Sequence, residues 1–282
     1  MYTVYPVFEK SQLVDFYGLH YKTSCVIMHI DIQMPVTGGQ LHMNYLYLTA
    51  SSDEITPYRT FVDQVNARIS DFLNYLRENL SVTQLPTAVI LTRKDIATKQ
   101  ISNIPLPAYT NDFRTILCPD VTVWRDLYLQ QLEHDNDPAI RNYYVTSLTE
   151  NHVLQILGHE FVHHSNLFLD EAYETARWFE EGMCEYISRK WFLSDAEFQA
   201  EAHINELLVN RYEQHYGVQT PEQFTRDIYE GTLVDIFYFY WKSFLCVHSV
   251  IRQFGDIEVV FKEYQRWYRS APDIPLSLWF QV

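Results

Sequence analysis

Residues 149–163 read TENHVLQILGHEFVH, and residues 178–186 read WFEEGMCEY. The first stretch carries Val153, Leu154, Ile156, Leu157, Phe161 and Val162 on an apolar side, with Thr149 or Ser147 placed to cap a helix. Inside it stands His159-Glu160-Phe161-Val162-His163, an H-E-x-x-H. On a helix His159 and His163 are i and i+4, so both imidazoles leave one face about one turn apart. That spacing lets two nitrogens reach one zinc ion at roughly 2.0–2.1 Å. Glu160, about 100° further round the axis, falls beside the metal, where it can take a proton from a water.

A catalytic zinc site needs three protein ligands and one open position. An H-E-x-x-H-x-x-G-x-x-H site would need Gly and His where the chain has Asn166 and Leu169, so the third ligand must come from elsewhere. In the second stretch Glu181 and Glu185 are i and i+4 and share a helix face. One can bind metal while the other orients His159 or His163, fixing its tautomer. Gly182 permits close approach of these two helices. Glu180 points about 100° away and reads as a solvated neighbour.

These two segments together resemble the gluzincins, the zinc metallopeptidases of the thermolysin and aminopeptidase type, whose second helix carries W-[FL]-x-E-G-x-A-E-Y or a close variant. The resemblance implies one Zn2+ ion held by His159, His163 and Glu181, with Glu160 as general base. It makes Glu185 the residue that holds a liganding imidazole by its other nitrogen. Cys184 stands where the family usually has Ala. The implied fold is α+β: an N-terminal mixed β-sheet with helices, packed on a mainly helical C-terminal half, with the zinc site between them. The family's edge strand binds extended peptide by β-augmentation. Its aminopeptidases carry a G-x-M-E-N-like segment before H-E-x-x-H, which this chain lacks, so an endopeptidase is expected. The family also takes an oxyanion donor from the helical half. Residues 237–244, FYFYWKSF, resemble its Tyr-containing segment; Tyr240 is the first candidate and Tyr238 the second. Being i and i+2, they cannot both face the metal. His215 and His248 stand further back as donors, and His164 falls on the wrong face.

Around these motifs the chain changes texture near residue 148. This divides it into 1–148, an α+β region with the substrate-side sheet, and 149–282, a helical region carrying the metal motifs. Upstream, strands are expected over Ser24–Ile32, Leu41–Leu48, Thr87–Leu91 and Arg114–Cys118, with Gly38-Gly39 as a hairpin turn. Thr56-Pro57 reads as the start of a helix that buries Phe61, Val65, Ile69, Phe72, Leu73 and Leu76. Residues 101–112 read as loop, and 121–147 take no clear assignment. Downstream, Ser194 and Glu197 form a capping box for a helix ending near Gly217. Thr220, Pro221 and Gln223 repeat that start signal. A long apolar helix follows from about Leu233 to Phe254, stopped by Gly255, and Asp256 caps a last one.

Composition narrows the partners. With 36 acidic and 21 basic side chains the net charge is −15, which argues against nucleic-acid and anionic-membrane binding. Seven carboxylates lie between His159 and Glu185 against one basic residue, Arg177, so a peptide or protein substrate with a basic segment is expected. Only eight glycines occur, and none builds a phosphate-binding loop. The four cysteines form no C-x-x-C pair. The first residues, MYTVYPVFEKSQLV, carry no signal-peptide pattern, and no apolar run reaches about 18 residues. These features make a cytoplasmic zinc metallopeptidase the leading expectation. The alternative is a catalytically silent, peptidase-like binding or regulatory protein that retains the zinc site; the full set of catalytic positions weighs against it.

Overall fold

The strand-forming runs of the first half pair into one sheet in the computed structural model, which describes residues 27–31 as backbone path only and residues 43–102, 104–132 and 137–282 in full. Its five strands are β1 (Ile27–Asp31), β2 (Asn44–Thr49), β3 (Ala88–Thr92), β4 (Ala108–Thr110) and β5 (Arg114–Leu117), in the order β1-β2-β3-β5-β4. The sheet is mixed: β2, β3 and β5 run parallel, and β1 and β4 close the two edges antiparallel. The Gly38-Gly39 turn lies outside the described residues.

Side chains alternate across a strand, and β2 uses both faces. Tyr45 and Tyr47 join the main core under helix α1 (Ile55–Asn79), while Leu46 and Leu48 pack with Ile90, Ile116, Ile96 and Ala97 on the other face. All six expected positions of α1 are buried. The helix starts at Ile55, ahead of Thr56, because a 3-10 turn over Ser52–Glu54 runs directly into it.

The segment 101–112 is not all loop: it holds β4. Pro105 and Pro107 cannot donate to a ladder, so regular pairing begins only after them, although the Pro107 carbonyl still accepts from Cys118 N at 2.9 Å. The unassigned stretch contains two short helices, α2 (Val121–Gln130) and α3 (Pro138–Ser147), each capped by an Asp, Asp120 and Asp137.

Beyond Thr149 the described chain is nearly all helix: α4 (Glu150–Val162), α5 (Tyr173–Phe192), α6 (Asp195–Tyr216), α7 (Leu233–Phe254), α8 (Ile257–Ser270) and α9 (Leu276–Phe280). The Ser194–Glu197 capping box opens α6 as expected, and Gly255 ends α7 at φ +80°, where a side chain would be strained. Asp256 caps α8, but one further helix, α9, follows it. A single buried cluster runs from Met43 to Phe280, so the two regions share one core.

Gly182 is needed for a different contact from the one its motif suggests. A Cβ there would collide with the Ser243 carbonyl of α7, not with α4. Gly182→Ala should therefore cost at least about 1 kcal/mol net, even after the helix propensity that Ala gains over Gly. A melting temperature at or above that of the unaltered chain would contradict this close approach.

Candidate metal centre

Helices α4 and α5 bring the motif residues together. His159 Nε2 lies 3.1 Å from His163 Nε2 and 3.1 Å from Glu181 Oε2, and His163 Nε2 lies 3.4 Å from the same oxygen. A tetrahedral ion bonded at roughly 2.0–2.1 Å separates its ligand atoms by about 3.3–3.4 Å. The three edges of this triangle fit one metal ion closely.

The opposite ring nitrogens explain why three lone pairs converge. His163 Nδ1 contacts Glu180 Oε1 at 2.7 Å. His159 Nδ1 is 3.0 Å from Glu185 Oε1, an ion-pair distance though off the line of a well-formed hydrogen bond. Each carboxylate favours the N–H on Nδ1, leaving both Nε2 atoms as acceptors facing the Glu181 oxygen. Acceptors held at such distances require a cation or added protons between them. Glu180 is thus a positioning residue for His163 and not the solvated neighbour that helix spacing suggests. His163 stands at the C-cap of α4, where its ring swings toward α5.

Glu185 is itself held from behind. Arg189 Nη2 lies 2.7 Å from its second oxygen, and Gln155 Nε2 donates to that oxygen at 3.2 Å. Arg189 also lies 3.7 Å from Glu201 of α6, which accepts from the Tyr143 hydroxyl. The imidazole is therefore tied through a buried chain of charges to α3, α5 and α6.

Electrostatics follow from this crowding. Burial works against charge on His159, but its close contacts with the Glu181 and Glu185 carboxylates outweigh it and push the imidazole up to about 9. Glu181, also opposed by burial, is held well below the usual carboxylate range by His163 and His159. Burial pushes Glu160 up to about 7. In the metal-free protein the protons on His159 therefore stand in for a cation. His159 contributes stability that is fully present below its ordinary value of 6.5 and lost as pH rises through about 9. Chelated protein should lose roughly 3 kcal/mol over that window, and the stabilisation by added metal should grow with pH, because ion and proton compete for one nitrogen. Thermal melts with and without chelator from pH 6 to 9 measure this; a flat metal-free profile would count against it.

The site opens onto a cleft of about 780 Å3 between β4, the last strand of the sheet among the described residues, and helices α4 and α5. His164 lines this cleft too, because α4 ends at Val162 and the chain turns; its Nε2 pairs with Thr110 Oγ1 of β4 at 2.9 Å. Glu160 and Tyr240 reach the cleft, and the Tyr240 ring centroid is 5.9 Å from that of His159. Tyr238 does not: its hydroxyl donates to Glu213 at 2.9 Å and receives Lys242 Nζ at 3.0 Å, on the α6 side of α7. His215 and His248 lie away from the cleft, on Arg211 and among Phe198 and Phe244.

Tyr229 is the residue that sequence reasoning missed. It projects from a 3-10 turn over Arg226–Glu230, donates to Glu181 Oε1 at 3.2 Å, and meets the Tyr240 hydroxyl at 2.9 Å. No periodicity marks such a turn. Cys184 is a rival ligand, since it, His159 and His163 place one donor atom each within 4.8 Å of one another. Burial pushes its thiol up to about 12, so it stays protonated without a cation, and Glu181 is the better-placed donor.

A larger groove, about 1110 Å3, lies over the carboxyl ends of β2, β3 and β5. Of its three cations, Arg93, Lys94 and Lys99, Arg93 is already paired with Glu54 and Asp95, both at 2.9 Å. Among the described residues no helix is long and apolar enough to cross a membrane. Comparison of the chain with family models, with curated proteins and with solved structures returns no match.

Proposed function

We propose that this chain is a zinc-dependent peptidase of gluzincin type that cleaves internal peptide bonds. The observation that carries the reading is the 3.1–3.4 Å triangle of His159, His163 and Glu181, with a carboxylate behind each imidazole. Zinc held there would supply Lewis acidity and bring a water's pKa toward about 7.

The chain's own groups account for the rest. Glu160, poised by burial at about 7, takes a proton from the attacking water and returns it to the leaving amine. A cation nearby favours its carboxylate form. Tyr240, whose hydroxyl burial and Glu181 keep protonated, donates to the developing oxyanion. Without substrate that proton is given to Tyr229, whose own proton is on Glu181, so the Tyr240 O–H must turn from Tyr229 to the oxyanion as charge develops there. The outer edge of β4, which lines the cleft, offers backbone groups to an extended peptide, and Thr110, bonded to His164, holds that edge against the metal helix. On the cleft wall Glu174 is bonded to Arg177, which leaves Asp112 and Glu230, against Arg226, to favour a basic segment in the substrate.

Metal analysis of purified protein beside digestion of a peptide library tests the reading. One zinc per chain with cleavage lost on chelation is expected. Stoichiometric zinc without cleavage of any peptide would favour the silent binding protein instead.

A further inference from the structure

The two oxygens of Glu181 serve different partners. Oε2 faces both imidazoles, 3.1 Å from His159 Nε2 and 3.4 Å from His163 Nε2. Oε1 accepts from the Tyr229 hydroxyl at 3.2 Å, its one hydrogen-bond donor among the described residues.

That donor comes from outside the metal helices. Tyr229 stands on the 3-10 turn Arg226–Glu230, in the connection between α6 and α7. The turn is closed by Ile228 N on the Thr225 carbonyl at 3.2 Å and Gly231 N on the Ile228 carbonyl at 3.0 Å. The Tyr229 ring packs 6.0 Å from that of Phe224, and the Arg177 guanidinium lies 6.0 Å from its centroid. A phenol has one proton to give. With that proton on Glu181, Tyr229 can only accept from Tyr240, whose hydroxyl is 2.9 Å away.

Glu181 is 2% exposed, and a buried ionised oxygen left without a donor is costly. With the Tyr229 hydroxyl gone, the ion that Oε2 binds becomes the compensating charge for Oε1 as well. We propose that Tyr229 is a positioning residue that holds Glu181 to one-oxygen coordination and so keeps the fourth position of the metal open for water. The inference rests on the metal site of the peptidase reading and adds the residue that sets its coordination number. A catalytic zinc site depends on three protein donor atoms and one open position. A second Glu181 oxygen would be a fourth protein donor, in competition with the water that the ion activates. Glu180 and Glu185 act differently, because each orients a ring that offers the ion a single nitrogen, and their loss cannot add a ligand.

Tyr229→Phe removes the hydroxyl and keeps the ring, and azide titration of the cobalt-loaded full chain reads the open position without relying on turnover. In the unaltered chain azide should shift the visible bands as it takes the place of water. In Tyr229→Phe its affinity should fall by about tenfold or more. Cobalt affinity, measured by chelator competition, should stay within a few-fold, because the freed oxygen adds a bond to the ion. X-ray absorption of the zinc-loaded unaltered chain is a second measure that needs no variant: four nitrogen and oxygen ligands are expected, and five would overturn one-oxygen coordination. Azide affinity equal in the two chains overturns the role of Tyr229 and leaves the metal site and the peptidase reading standing. Cobalt affinity lost in the variant with azide binding kept does the same, since it shows only support of the Glu181 side chain. Failure of the unaltered chain to bind cobalt or zinc overturns both.

Discussion

Glu160→Gln is expected to lower peptide hydrolysis by about 10²–10⁴-fold, the usual contribution of a positioned base, while metal content stays at that of the unaltered chain. The amide keeps the shape and volume of the carboxyl group but cannot accept a proton at neutral pH. Glu160 is 7% exposed and is not one of the three converging donors, so the substitution leaves the metal triangle intact. It also relieves a burial cost. Burial raises the carboxyl group from 4.5 to about 7, so its contribution to stability is present below pH 4.5 and lost as pH rises through about 7. In chelated protein the variant should therefore melt no lower than the unaltered chain at pH 8. Initial rates on a cleaved library peptide, paired with elemental analysis of the same sample, give both readouts. Turnover within tenfold of the unaltered chain would remove Glu160 from the reaction.

How far the site was legible depends on whether a residue's role follows from its own helix. His159 with His163, and Glu181 with Glu185, are i and i+4 pairs, and spacing along one helix axis is enough to put each pair on one face. Which elements pack against a helix is not written in its spacing. Glu180 is 100° from Glu181 in any α-helix, yet it meets His163 because α4 stops at Val162 and its last histidine reaches across to α5. Gly182 signals a close approach without naming its partner, which is Ser243 of α7. The choice between Tyr238 and Tyr240 turned on where α6 lies, since Glu213 of that helix takes the Tyr238 hydroxyl. Tyr229 and β4 share another limit. A five-residue 3-10 turn and a three-residue edge strand after two prolines are too short to carry a period. The longer strands and the helical second half were legible because caps and apolar runs are local, whereas the mixed pairing of the sheet was implied only by the family resemblance.

Glu181→Ala should weaken metal binding by more than about 100-fold, since loss of an outer partner alone costs about 10–100-fold and this residue supplies one of three donor atoms. Cys184→Ala should weaken it by no more than a few-fold. The contrast matters because the thiol lies near enough to the two imidazoles to offer a third ligand of its own. Two physical arguments favour the carboxylate. Glu181 Oε2 completes a triangle with edges of 3.1, 3.1 and 3.4 Å, near the spacing of a tetrahedral site, and it is already ionised, held low by His163 and His159 despite burial. Cys184 would first have to release a proton that burial holds up to about 12. Glu180→Ala and Glu185→Ala should fall between these extremes, because each removes only the group behind one imidazole. Competition with a calibrated chelator ranks the four variants, and cobalt substitution supplies an independent signature. A thiolate ligand adds an intense sulfur-to-metal charge-transfer band, whereas a His, His, Glu site shows ligand-field bands alone. Such a band in the unaltered chain, lost in Cys184→Ala together with most of the metal affinity, would move the third ligand from Glu181 to Cys184 and leave Glu181 as the partner of Tyr229.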